Sequence, residues 1–123
     1  MDRFQPLRER FPDFSLNLSL ALKATKVSQP YLYELFILHT QERQLKKLGK
    51  RINKIIWGRK GDREKIELLL EAIVEFNCCL QRLRNINHED ANLRPLNCLY
   101  DELIAAIPIN NLEVQLSIEF QRL

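Results

Sequence analysis

The chain has 123 residues, 46% hydrophobic and 28% charged, with 19 Lys+Arg against 16 Asp+Glu for a net charge of +3. Three Gly, five Pro and no low-complexity tract exclude a disordered or collagen-like chain, and the length predicts one domain over residues 1–123 that buries about two-thirds of its unfolded surface. No apolar run approaches the roughly eighteen residues of a membrane span, and the opening MDRFQPLRERF lacks the apolar segment of a secretory signal, so a cytoplasmic protein without membrane contact is expected.

Residues 1–13 carry Phe4 and Phe11 among Arg3, Arg8 and Arg10, with Pro6 and Pro12 interrupting any long helix. An irregular N-terminal arm is the expectation. From Phe14 the pattern changes: Phe14, Leu16, Leu18, Leu20 and Leu22 alternate with Ser15, Asn17, Ser19, Ala21 and Lys23. Period two predicts a half-buried strand.

Ser28 or Gln29 before Pro30 reads as a helix opening. The first helix is predicted from about Tyr31 to Trp57, burying Leu32, Leu35, Phe36 and His39 in its early half and Leu45, Leu48, Ile52, Ile55 and Ile56 in its later half. Gly49, in its middle, points to a bend or to close approach of another backbone. Gly58 to Gly61 form a short link and Asp62 caps a second helix, in which Ile66, Leu69, Leu70, Ile73, Phe76, Leu80 and Leu83 recur at spacings of three and four. Two helices so joined return antiparallel. Asn85, Asn87 and His88 break the pattern, Asn92 offers a cap, and Pro95 opens a shorter third helix burying Leu96, Leu99, Tyr100, Leu103, Ile104 and Ile107. Pro108, Asn110 and Asn111 make a turn before a second alternating segment, Leu112, Val114, Leu116, Ile118 and Phe120, which predicts a C-terminal strand.

The predicted class is therefore α+β: a strand, a three-helix middle consisting of a long basic hairpin and a shorter helix, and a second strand, with both strands packed on the helices. Two strands leave two open edges. A sheet completed by oligomerisation follows, most simply a homodimer joined through the terminal strands.

The stretch Arg43 to Lys65 holds ten of the chain's 19 Lys+Arg and two of its 16 acids, so it carries +8 and everything else −5. At about 100° per residue Arg43, Lys47, Lys50 and Lys54 fall almost in line, flanked by Lys46 and Arg51, opposite the Leu/Ile stripe. Trp57 falls within the cationic arc, where an indole could stack on a base. Together with Arg59, Lys60 and Arg63 at the hairpin end, these residues are the candidate nucleic-acid-binding set. A solvated face that keeps the chain soluble is the bland reading of the same ridge.

Signals of other chemistry are weak. His39 and His88 sit in separate elements and Cys78, Cys79 and Cys98 have no CxxC spacing, so neither a metal nor another cofactor is expected, and the odd thiol count suits a reducing compartment. GRKG at 58–61 lacks the strand and spacing of a phosphate loop, and no nucleophile has a neighbouring base. A non-enzymatic accessory subunit is predicted, holding RNA or DNA beside a larger protein partner with little sequence preference, since Lys predominates on the ridge and makes point-charge contacts. The alternative is a protein-binding adaptor without nucleic acid, using strand addition at a sheet edge or an acidic partner on the hairpin.

Overall fold

The computed structural model describes residues 3–25, 32–86 and 90–108. Helices α1 (Gln5–Arg10), α2 (Phe14–Ala24), α3 (Leu32–Trp57), α4 (Asp62–Ile86) and α5 (Arg94–Ala106), with a 3₁₀ turn at Asp90–Leu93, make up the architecture, and no strand occurs among the described residues. The α+β expectation is thus corrected to a helical bundle.

The hairpin forms as its pattern dictates. In α3, Leu45, Leu48, Ile52, Ile55 and Ile56 are buried, and in α4 the stripe is Leu69, Ala72, Ile73, Phe76, Cys79, Leu80, Leu83 and Ile86. Contacts at Arg51–Glu75 and Gln44–Cys79 set the antiparallel register of the two helices. Helix α5 packs on α4 through Phe76 and Tyr100, whose rings meet edge-on at 5.3 Å, and through Arg84, which donates to Asn97 Oδ1 at 3.2 Å. Pro95 lies in the first turn of α5, as its ring geometry favours. Leu93 occupies the N-cap and offers no side-chain bond, so the expected Asn92 cap is replaced by entry from the 3₁₀ turn.

The segment expected as a first strand is α2, which packs against both α3 and α5 and closes the ring α2–α3–α4–α5. The reason is arithmetic. Alternate members of the period-two set, Phe14, Leu18 and Leu22, are spaced i, i+4, i+8, and with Ala21 they fill an arc of about 100° on a helix; these four are buried. The remaining two, Leu16 and Leu20, lie on the far side, 55% and 56% exposed. No residue from 14 to 24 is β-branched, so nothing in local propensity favours a strand over a helix rich in Leu and Ala. Asp13 Oδ1 accepts the Leu16 N–H at 3.1 Å as N-cap, and Asn53 Oδ1, reaching across from α3, accepts the Phe14 N–H at 3.1 Å. With this segment helical, a sheet interface through it is withdrawn; the C-terminal alternating segment, 112–120, lies outside the described residues, as do the Pro30 helix opening, the 87–88 break and the 110–111 turn.

Close approach explains Gly49. A Cβ there would stand 2.7 Å from Leu18 Cδ2, whereas Ser15 Cα at 3.5 Å is at ordinary contact distance, so the missing side chain makes room for the buried Leu18 side chain of α2. Gly58 answers a different need, since a Cβ would meet the Lys54 carbonyl oxygen at 2.7 Å where α3 ends.

The expected irregular arm is corrected as well: Pro6 opens α1 instead of breaking a helix, and Phe4, Leu7 and Phe11, at spacings of three and four, are fully buried. Phe11 meets Phe14 edge-on at 5.2 Å. Arg3 donates to the Pro108 carbonyl at 2.7 Å and Arg10 pairs with Glu102 at 2.8 Å, tying this end of the chain to α5. Helix α1 therefore closes the end of the ring where the hairpin turns, α5 finishes and α2 begins, which makes all four neighbouring pairs antiparallel.

The early half of α3 is rotated from expectation. Phe36 is 71% exposed, Leu35 is half-buried and His39 stands in solvent 3.7 Å from Glu42, whereas Glu34 and Gln41 are buried. Glu34 Oε2, Gln41 Oε1 and Asn77 Nδ2 have no hydrogen-bond partner among the described residues.

The two side chains that hold the start of α2 are expected to act in parallel. Asp13→Ala and Asn53→Ala should each lower the stability by about 1 kcal/mol, measured as a drop in urea midpoint followed by far-UV circular dichroism at constant slope.

Candidate nucleic-acid interface

Burying the Leu/Ile stripe of α3 forces the other side of the helix into water. Arg43, Lys46, Lys47, Lys50, Arg51 and Lys54 are all exposed, as are Arg59 and Lys60 in the link and Arg63 at the start of α4. The structure thus brings together the cations that the sequence singles out. Three of them have carboxylate partners: Arg51 with Glu75 at 2.9 Å, Lys60 with Glu64 at 3.5 Å and Arg63 with Glu67 at 3.6 Å. All three pairs are well exposed, a setting in which an ion pair contributes about 0–1 kcal/mol and is readily exchanged for a stronger anion. Arg43, Lys46, Lys47, Lys50, Lys54 and Arg59 form no ion pair with a described residue. The acidic flank of α4 therefore covers part of the ridge and leaves its centre unmatched.

The ridge divides around the helix. Lys46 leans toward α2, sharing a depression with Lys23 and Glu42. Lys47 and Arg51 lean toward α4 and line a groove of about 550 Å³ with Arg82, Glu75 and the Cys78 and Cys79 thiols. The groove continues past Arg51 into a second cavity at the hairpin end, about 440 Å³, bordered by Lys54, Arg59, Lys60 and Lys65. Arg82 lies 31 residues beyond Arg51 in sequence and escapes a reading based on charge runs. Its signal is the hairpin register, which, with Cys79 beside Gln44, brings Arg82 to the same groove as Lys47.

Trp57 is 49% exposed. It shares a shallow cavity of about 220 Å³ with Gln5, Arg8 and Glu9 of α1, so the indole belongs to the α1 side of the hairpin end and not to the groove. Lys65, a basic residue that the exposed-ridge reading does not use, is 5% exposed, its ammonium 4.8 Å from the centroid of the Phe4 ring. Burial, then the charge of Arg8, pushes the Lys65 ammonium below the ordinary lysine range, and Asp62 opposes them.

Of the thiols, Cys79 is buried, Cys78 half-buried and Cys98 exposed. Burial pushes the Cys79 thiol up to about 11. Among the described residues no group of three or more His, Cys, Asp and Glu is arranged to hold a metal ion, and no helix is long and apolar enough to cross a membrane.

Two measurements test these environments. Because the Lys65 pKa is lower in the folded state than in the unfolded chain, the native protein binds fewer protons between the two values, and stability contributed at this position rises with pH there; unmodified protein should gain on Lys65→Met as pH climbs toward the ordinary lysine range, read from paired urea titrations. With an aromatic disulfide reagent at neutral pH, Cys98 should react first, Cys78 next and Cys79 only on unfolding, since the thiolate is the reacting species, as peptide mapping of the labelled sites would reveal. Comparison with protein-family models, with curated proteins and with solved structures finds no match to this chain.

Proposed function

We propose that the chain binds RNA or DNA with little sequence preference, the exposed row on α3 gripping successive phosphates. The observation that carries this reading is the unmatched centre of the ridge: Lys47, Lys50 and Lys54 are exposed and have no carboxylate partner among the described residues. Their spacing suits the ligand. From Arg43 to Lys54 the helix rises about 16 Å, close to five phosphates at about 3.4 Å of rise per strand. Lysine outnumbers arginine along the row, which favours point-charge contact with a backbone over bidentate reading of bases. As a binding chain without catalysis of its own, it would serve as an accessory subunit that holds a strand for an enzyme supplied in trans, and its three free thiols suit a cytosolic setting.

Fluorescence anisotropy with labelled single- and double-stranded oligonucleotides tests the reading. On a duplex, the logarithm of the affinity should fall against the logarithm of salt with a slope of about −4 to −5 for five phosphate contacts. The triple variant Lys47→Glu, Lys50→Glu, Lys54→Glu should reduce affinity at least a hundredfold and flatten the slope by about 3, with helix content unchanged by circular dichroism. An affinity insensitive both to salt and to the triple variant would overturn the proposal. Binding of an acidic protein but of no oligonucleotide would replace it with the adaptor function.

A further inference from the structure

The cavity at the hairpin end differs in kind from the open ridge. Its border carries five cations, Arg51, Lys54, Arg59, Lys60 and Lys65, against one acid, Glu71, and its wall includes the apolar side chains Ile55 and Leu68. Two of the five are already engaged, Arg51 with Glu75 and Lys60 with Glu64. Lys54, Arg59 and Lys65 have no carboxylate within ion-pairing distance among the described residues, and Lys65 is nine-tenths buried. A buried ammonium whose neighbour is the face of Phe4 is short of negative charge. Burial and then the charge of Arg8 lower the proton affinity of Lys65, with Asp62 opposing them. A volume of about 440 Å³ is within the range of small-ligand pockets, and an apolar wall beside basic lining residues suits a sugar and base attached to a phosphate.

A phosphodiester in mid-strand carries one charge and has chain leaving on both sides, which the open ridge accommodates. A phosphomonoester carries close to two charges and has chain on one side only. We propose that this cavity receives the terminal phosphomonoester of a nucleic-acid strand, the rest of the strand running away along the α3–α4 groove toward Lys47 and Arg82. The inference rests on the proposed function, and the same phosphomonoester chemistry could come instead from a free mononucleotide.

Binding of ten-residue oligonucleotides that differ only in their ends, 5′-phosphate, 3′-phosphate or hydroxyl at both, separates these cases, with adenosine monophosphate as competitor. One of the phosphate ends should bind at least tenfold tighter than the hydroxyl form. In Lys65→Met, and independently in the exposed Arg59→Ala, which does not depend on repacking the Phe4 contact, the ratio should fall to near one. Equal affinity for all three ends with a steep salt slope overturns the cavity inference and leaves the ridge reading standing. Binding of adenosine monophosphate that Arg59→Ala abolishes, with no oligonucleotide bound, overturns the strand-end assignment and the proposed function together and assigns the site to a free phosphorylated molecule. Absence of binding by every probe overturns both.

Discussion

Burial of one stripe on α3 governs most of what this molecule presents to solvent. Leu45, Leu48, Ile52, Ile55 and Ile56 all lie in the core, and each such side chain contributes about 1.5–3 kcal/mol when taken from water, far more than any of the exposed ion pairs beside them. Rotation of the helix is therefore fixed by its apolar side, and the cations at 43, 46, 47, 50 and 54 are left outward as a consequence. The ridge needs no separate device to hold it in place. The backbone that carries these charges is positioned by a core and not by a loop.

The same economy appears in how the ring closes. Gly49 lets α2 approach α3 at the level of Leu18, and four residues further along α3 Asn53 caps the first backbone N–H of α2. One turn of α3 thus supplies both the space and the hydrogen bond that seat its neighbour. Helix α1 then covers the remaining opening with Phe4, Leu7 and Phe11, and in doing so sets the face of Phe4 against the ammonium of Lys65. The buried cation at the hairpin end is in this sense a product of the way the bundle is capped.

Electrostatics along the groove follow from the antiparallel pairing. Glutamates of α4 reach Arg51 from across the helix pair and Lys60 and Arg63 within a turn, so the cations nearest the acidic flank are paired while Lys47, Lys50 and Lys54 have no carboxylate partner among the described residues. Arg82 adds a cation from the acidic helix itself. Cations without a carboxylate partner among the described residues therefore run along the centre of α3, from Lys47 through Lys50 to Lys54.

Local pattern determined the hairpin: spacings of three and four, a two-glycine link and Asp62 specify two long antiparallel helices and their cationic side without reference to the rest of the chain. Pro95 likewise marks α5. What local pattern could not determine was the state of residues 14–24, because a period of two sampled at every second member is also a helical i, i+4, i+8 stripe, and only the partners at Gly49 and Asn53 decide between them. Nor could it place Phe4 and Phe11, whose burial depends on an opening left by four other helices, or His39 and Phe36, whose exposure depends on how α3 is turned by its distant apolar half. Arg82 joins the groove, and Lys65 sinks beneath α1, for the same reason: both positions are set by packing between segments far apart in the chain, and side-chain order along one segment carries no trace of that.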